Sequence, residues 1–342
     1  MVLTKPYLLF LGDARDQLAA KTAQGIVDWR PEWCVGQLRL PNCKADCGLP
    51  DLSIQEAVAR GAKTMVVGVA NAGGVLPEHW VTTIVEALAA GLDVATGLHK
   101  RLADLPAIAA AAQRHGRTLH DVRFSTLALP TGKGSKRAGQ RLLTVGTDCS
   151  CGKKYTALAL EKGLRAAGVK ADFCATGQTG VLIAERGLAI DAVVADFISG
   201  AVEHIAKAND ADHWDVIEGQ GSLFHPSFAG VTLGLLHGAQ PDLFVVCHEP
   251  TRTAMRGVLH PLPTIQQVID LTLQLGRLTN PAIQCLGIAL NTEALDHAAA
   301  ADLLAKTGRN HGLPCVDPIR TGVAPLVEAL LHRFPGGRPV GG

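Results

Sequence analysis

Residues 142–168 read LLTVGTDCSCGKKYTALALEKGLRAAG: an apolar run, a polar turn bounded by glycines, then apolar positions recurring at helical spacing. Strand, glycine-rich turn and helix in that order describe a phosphate-binding loop. Successive backbone amides and the first helical turn offer an anion oriented N–H groups and the positive end of the helix dipole. Lys153 adds a full positive charge. The ordinary Walker pattern is GxxxxGK[ST], with the second glycine five positions after the first. Here Gly152 follows Gly146 by six positions, and Lys154 stands where a hydroxyl would reach magnesium. Thr156 lies two residues beyond that slot and points in another helical direction. The stretch predicts phosphate recognition, set against an ordinary strand–helix turn carrying a surface lysine, and it argues weakly for ATP hydrolysis.

Outward from the loop, two α/β patterns follow one another. After RLLTVG the second half continues with KADFCATG, DAVVADF, WDVIEGQG, DLFVVCHE and IQCLGIALN as strand candidates, and ends in a helix near APLVEALLHRF. The first half alternates YLLFLG, WCVGQL, TMVVGVAN, LDVATGL and DVRF with helix-like segments such as PEHWVTTIVEALAAG and LPAIAAAAQRHG. Such alternation predicts mostly parallel sheets covered by helices. No GxGxxG is present, so a Rossmann-like first domain is expected as a fold without evidence for NAD. The segment LPTGKGSKRAGQR, Leu129 to Arg141, breaks both periodicities and marks the boundary. The expected architecture is α/β throughout: a Rossmann-like domain over 1–132, then a P-loop NTPase-like domain over 133–342. In open sheets ligands gather beyond the carboxyl ends of the strands, which singles out Asp148, Asp196, Glu218, His248 and Asn291.

Length and composition narrow the function classes. The 342 residues, 47% hydrophobic, suffice for two cores. A net charge of +1 supplies no broad electrostatic case for nucleic acid or membrane partners. The start MVLTKPYLLFLGDARD reads as a first strand and not as a secretion signal, and no apolar run reaches the roughly 18 residues of a membrane span. Nine cysteines, several inside strand-like runs, suggest reduced and mostly buried thiols. A cytoplasmic protein is expected. Cys43 and Cys47 in NCKADC, with Cys34 nearby, are the one suggestive metal pair, but zinc wants four ligands and no second close pair adjoins them. No metal is expected.

GTDCSCGKKYTALAL, with VIEGQG further on, is similar to the dethiobiotin synthetase branch of P-loop proteins, which shares the Gly-Thr-Asp opening and the six-position spacing but ends in GK[ST]. The whole chain, including AKTAQGIVDWRPEWCVG and CHEPTR, resembles a bacterial family first described as a domain of unknown function, one branch of which is D-glutamate N-acetyltransferase. The resemblance implies a Rossmann-like domain before a P-loop domain, and in that branch transfer of the acetyl group of acetyl-CoA to the amine of D-glutamate, within D-glutamate catabolism. It places the phosphate loop on Gly146, Thr147, Asp148, Cys149, Gly152, Lys153, Lys154 and Thr156. A second lysine in place of the magnesium hydroxyl is compatible with a CoA diphosphate held by amides and lysines, with no metal required.

Acetyl transfer needs a thioester set beside a neutral amine, a proton acceptor, and donors for the carbonyl oxygen. Glu218, at a strand end before two glycines, is the first choice as base or amine anchor, against a loop-closing role. Asp196 orients the ammonium or caps the following helix. His225 in GSLFHPSF is an alternative base. Arg252, then Arg256, suit the acceptor's carboxylates, or make ion pairs of their own. From the first domain Lys21, Thr22 and Asn71 are further substrate-binding candidates. Cys149 and Cys151 would permit an acetyl-cysteine intermediate, but acetyl-CoA is already activated and direct attack by the amine is preferred. The competing classes are an ATP- and magnesium-dependent ligase acting on a carboxylated metabolite, and a non-catalytic nucleotide- or CoA-sensing protein. Apolar helix faces suggest a homodimer or higher homo-oligomer.

Overall fold

A computed structural model describes residues 3–70 and 76–334. The chain forms two compact units: Met1–Thr126 with Gly177–Ala192, and Leu127–Thr176 with Val193–Gly342. In the first, strands β1 (Tyr7–Gly12), β2 (Cys34–Arg39), β3 (Thr64–Val67), β4 (Asp93–Thr96) and β5 (Leu119–Asp121) make one parallel sheet in the order β2-β1-β3-β4-β5. Helices α1 (Lys21–Trp29), α2 (Ile54–Ala59), α3 (Glu78–Ala89) and α4 (Pro106–His115) intervene. Every residue of YLLFLG is buried, which is why β1 is a continuous apolar run without alternation, as parallel strands covered on both faces are. Its exit is pinned: Gly12 has φ +53 and lies so close to the Trp80 indole that a Cβ would come within 2.3 Å of the ring. The Trp80 indole N–H donates to Asp13 at 2.8 Å.

The strand expected at DVRF forms slightly earlier, over Leu119–Asp121. Asp121 accepts the Leu102 amide at 2.8 Å, and the chain then turns so that buried Arg123 donates to the Gly97 carbonyl at 2.9 Å and pairs with Asp191. Asp191 comes from the second half of the sequence, in the returning segment Gly177–Ala192, whose helix α6 (Gln178–Ala184) packs on the first unit. The hydroxyls of Thr22 and Thr179 lie 3.1 Å apart, and Glu185 pairs with Lys5 at 2.7 Å. No single cut in the sequence separates the two units.

The second unit is a six-stranded parallel sheet, β11-β10-β9-β6-β8-β7, built from β6 (Gln140–Gly146), β7 (Ala171–Cys174), β8 (Trp214–Ile217), β9 (Leu243–His248), β10 (Gln284–Leu290) and β11 (Cys315–Val316). Its helices are α5 (Lys153–Ala166), α7 (Ile198–Ile205), α8 (Ala229–Ala239), α9 (Ile265–Gly276), α10 (His297–His311) and α11 (Ala324–Arg333). The strand that leads into the phosphate loop is thus central, with β9 and β8 on either side. DAVVADF is not a strand. It forms short 3-10 turns at Ile190–Ala192 and Ala195–Phe197, with Val194 67% exposed, because that stretch leads back from α6 and lies outside the sheet. No helix among the described residues is long and apolar enough to cross a membrane.

The basic segment before β6 is held by the second unit. Glu203 accepts the amides of Lys133 and Gly134 at 3.0 Å each. Arg137 donates to the carbonyls of Ala206 and Gly238 at 2.9 and 2.8 Å, acceptors at the ends of α7 and α8 that helices leave unsatisfied. Contact is close enough that a Cβ on Gly200 would lie 1.8 Å from the Pro130 carbonyl oxygen. Gly200→Ala is expected to cost about 3 kcal/mol in chemical denaturation. Gly230→Ala, on α8 with open space around the added methyl, is expected to gain about 0.5–1 kcal/mol.

Candidate functional site

Strands β10, β9, β6 and β8 are consecutive neighbours, so the residues that follow their carboxyl ends meet. Asn291 donates its amide to the His248 carbonyl at 2.9 Å. The His248 ring lies 3.0 Å from the Thr147 hydroxyl. Gly219, next to Glu218 after β8, packs on the loop strand and the start of α5: a Cβ on it would sit 1.7 Å from the Thr144 carbonyl oxygen and 2.9 Å from the Lys153 side chain. Asp148, Glu218, His248 and Asn291 therefore share one end of the sheet. Asp196 follows no strand; it is exposed in the 3-10 turn before α7, and α7 has no side-chain cap.

Within the loop, Ser150 (φ +52) and Gly152 (φ +106) take left-handed conformations that let the chain fold back before α5 begins at Lys153. Lys153 is 6% exposed, and its ammonium donates to the Asp148 carbonyl at 2.7 Å. Buried Cys151 donates to the same carbonyl at 3.1 Å. Gly146 is required for this packing, since a Cβ there would lie 2.5 Å from the Cys151 sulfur. Half-buried Lys154 lies 5.0 Å from the centre of the Tyr155 ring. Thr156 is buried, with its hydroxyl donating to the Gly152 carbonyl at 3.1 Å and accepting from Cys247 at 3.4 Å, so it braces α5 from within. Burial pushes the Cys247 thiol up to about 12.

The fully buried carboxylate of Asp148 is the hub. One oxygen accepts the Cys149 amide at 2.7 Å; the other accepts Arg252 at 2.8 Å and the Arg256 amide at 2.9 Å. Arg252 also donates to the carbonyls of Cys149 at 2.6 Å and Ser150 at 2.8 Å, and pairs with Glu249 at 3.1 Å. The Arg256 side chain reaches the Ser150 hydroxyl at 3.0 Å. Both arginines thus hold the loop itself, where the sequence suggested substrate carboxylates.

His225 is fully buried. Its Nδ1 accepts the Ser227 amide at 3.2 Å, which leaves the ring proton on Nε2 to donate to the Arg256 carbonyl at 3.0 Å. Asp148, Cys149 and His225 bring one ligand atom each within 4.8 Å of one another, but the aspartate and histidine donors are already committed to these bonds. Glu218 is 5% exposed. Its carboxylate accepts the Thr176 amide at 3.1 Å, and the Thr176 hydroxyl accepts from Gln220 at 3.1 Å. In the first unit Lys21 opens α1 half-buried, Thr22 is buried against Thr179, and Asn71 lies outside the described residues. Burial pushes the thiols of Cys34 and Cys47 up to about 12.

The sequence placed His248 at a strand end without assigning it a role. Burial lowers its pKa below the ordinary histidine range, opposed by Glu249 and assisted by Arg252, so the ring beside Thr147 is neutral at pH 7. In the unfolded chain it protonates below about pH 6.5, which the folded chain resists. Its contribution to stability therefore falls as pH drops from about 6.5 through the lowered folded value. The stability of wild type relative to His248→Gln, from urea unfolding, is expected to be constant above that window and to decline within it.

A family model described as the DUF1611 C-terminal P-loop domain matches residues 129–327, and its companion, the DUF1611 N-terminal Rossmann-like domain, matches residues 38–125. A protein of Tritonibacter scottomollicae named D-glutamate N-acetyltransferase is 51% identical over 330 residues, covering 96% of this chain and 99% of that one. A Pseudoalteromonas protein of the same name is 49% identical over 331 residues, covering 96% and 100%. The crystal structure of a DUF1611 family protein from Anabaena variabilis matches with a TM-score of 0.88 at 32% identity, over 96% of this chain and 100% of that one. With both domains matched in order and relatives aligned along nearly its whole length, this chain belongs to the DUF1611 family.

Proposed function

We propose that this chain is a D-glutamate N-acetyltransferase that takes its acetyl group from acetyl-CoA. The observation that carries the proposal is 51% identity across 96% of the chain to a protein of that name. The chemistry of the loop supports acetyl-CoA as the donor. Its amides, the start of α5 and the two lysines suit a diphosphate, and Lys154 in the hydroxyl slot, with Thr156 turned to its own helix, fits anchoring by protein groups alone.

The reach of CoA divides the labour. Its pantetheine arm, about a dozen bonds, spans roughly 14 Å at the advance of an extended chain. With the diphosphate on the loop and the arm extended, the thioester stands well away from Cys149 and Cys151. The acceptor's neutral amine then attacks the thioester carbon directly, its proton passes to a base, and CoA leaves. Glu218 and His225, packed around the loop, serve its framework in this scheme, and the base lies beyond it. A cytoplasmic enzyme suits nine cysteines of which none is in a disulfide; a homo-oligomer remains part of the proposal.

One observation favours a second reading. Glu218 follows the strand next to the loop strand, where an acid organises magnesium in nucleotide-binding P-loop proteins. That placement would suit a magnesium-dependent ligase.

Purified protein given acetyl-CoA and a panel of D- and L-amino acids is expected to release CoA thiol only with D-glutamate and to yield N-acetyl-D-glutamate by mass spectrometry. Absence of thiol release, or magnesium-dependent ADP formation in its place, would overturn the proposal. Lys153→Met is expected to weaken acetyl-CoA binding by roughly 10- to 150-fold, the loss of one charge-assisted hydrogen bond. The double variant Cys149→Ala/Cys151→Ala should retain substantial turnover; a protein that binds acetyl-CoA but transfers nothing would restore the acetyl-cysteine route.

A further inference from the structure

We infer that Arg252 is the positioning residue of the phosphate loop, aiming its amides at the CoA diphosphate, and is not a ligand of the acceptor's carboxylates; this rests on the acetyl-CoA reading above. The guanidinium spends its donors on three consecutive loop residues: the Asp148 carboxylate at 2.8 Å, the Cys149 carbonyl at 2.6 Å and the Ser150 carbonyl at 2.8 Å. A trans peptide unit is planar, with its C=O and N–H on opposite sides. Drawing the Cys149 and Ser150 carbonyls toward Arg252 therefore turns the Ser150 and Cys151 amide hydrogens to the other side of the loop. A planar fork with donors in fixed directions can hold several acceptors in one geometry; a lysine ammonium cannot.

The clasp is built into the fold from both ends. Asp148 is fully buried and Arg252 is 22% exposed at its side chain, so the pair is shielded from solvent screening. Glu249 holds the guanidinium through Nε at 3.1 Å. Four residues beyond Arg252, the Arg256 amide donates to the same Asp148 oxygen as Arg252, and the Arg256 carbonyl is held in turn by buried His225. The segment after β9 is thereby fastened to the loop at two points, and left-handed Ser150 lies between the arms. Carboxylate-binding capacity at Arg252 is already used by Asp148.

The test measures binding of CoA and of ADP by calorimetry, together with kcat and the KM for each substrate, on wild type, Arg252→Lys, Arg252→Ala, Asp148→Asn and the double variant Arg252→Ala/Asp148→Asn, with thermal unfolding as the check on folding. The expected result is a CoA affinity reduced roughly tenfold or more in Arg252→Ala and partly restored in Arg252→Lys. The KM for acetyl-CoA should rise in parallel while the KM for D-glutamate holds. Asp148→Asn should weaken CoA similarly, and the double variant should lose little beyond either single one, because the two side chains act as one unit. A raised KM for D-glutamate with CoA affinity unchanged would overturn the inference and return Arg252 to the acceptor. If wild type binds ADP and not CoA, the acetyl-CoA reading falls; the clasp then stands if the variants lose ADP and falls if they keep it. A wild type that binds neither overturns both.

Discussion

The site depends on one buried carboxylate. Asp148 lies after the central strand of the second sheet and is fully removed from solvent, where an ionised group is costly unless every oxygen is satisfied. Two backbone amides and one guanidinium meet that requirement. In meeting it they join two segments far apart in sequence, the loop after β6 and the stretch after β9. Replacing either partner alone would leave a charge in the interior without its complement, so the pair holds the geometry of the loop more firmly than the surface ion pairs elsewhere in the chain do.

Around that pair the packing leaves little slack. Gly146 and Gly219 admit no Cβ, because a sulfur, a carbonyl oxygen and the Lys153 side chain already fill the space. The Thr144 hydroxyl accepts the Gly219 amide at 2.9 Å and donates to the Lys153 carbonyl at 3.2 Å, linking the end of β8 to the start of α5 through the loop strand. A rigid cradle of this kind lowers the ordering cost of binding an anion. Under the proposed acetyl-CoA reading its chemistry is recognition of the diphosphate, with the acyl chemistry elsewhere on the protein.

Much of the architecture was legible along the chain because parallel strands covered on both faces announce themselves as short apolar runs, as YLLFLG and DLFVVCH do. Local pattern failed where long-range contacts outweighed it. DAVVADF has the composition of a strand, but the chain there is returning from a helix packed on the other unit, and no sheet edge receives it. Two-residue β11 was missed because a strand that short carries no period. The basic segment before β6 looked like a linker by composition, yet its amides and Arg137 find acceptors on α7 and α8.

The sequence by itself determined the phosphate loop, the two parallel sheets and four of the five strand-end polar residues, since glycine spacing, a lysine at the start of a helix and apolar runs are local properties. Only the tertiary structure decided what those side chains do. Arg252 and Asp148 are 104 positions apart, and no local pattern tells that the arginine's fork is spent on the loop, that His225 has both ring nitrogens engaged, or that Asp196 follows no strand. A hydrogen-bonding group has few donors and acceptors, and which partners use them is settled by where distant segments are brought together.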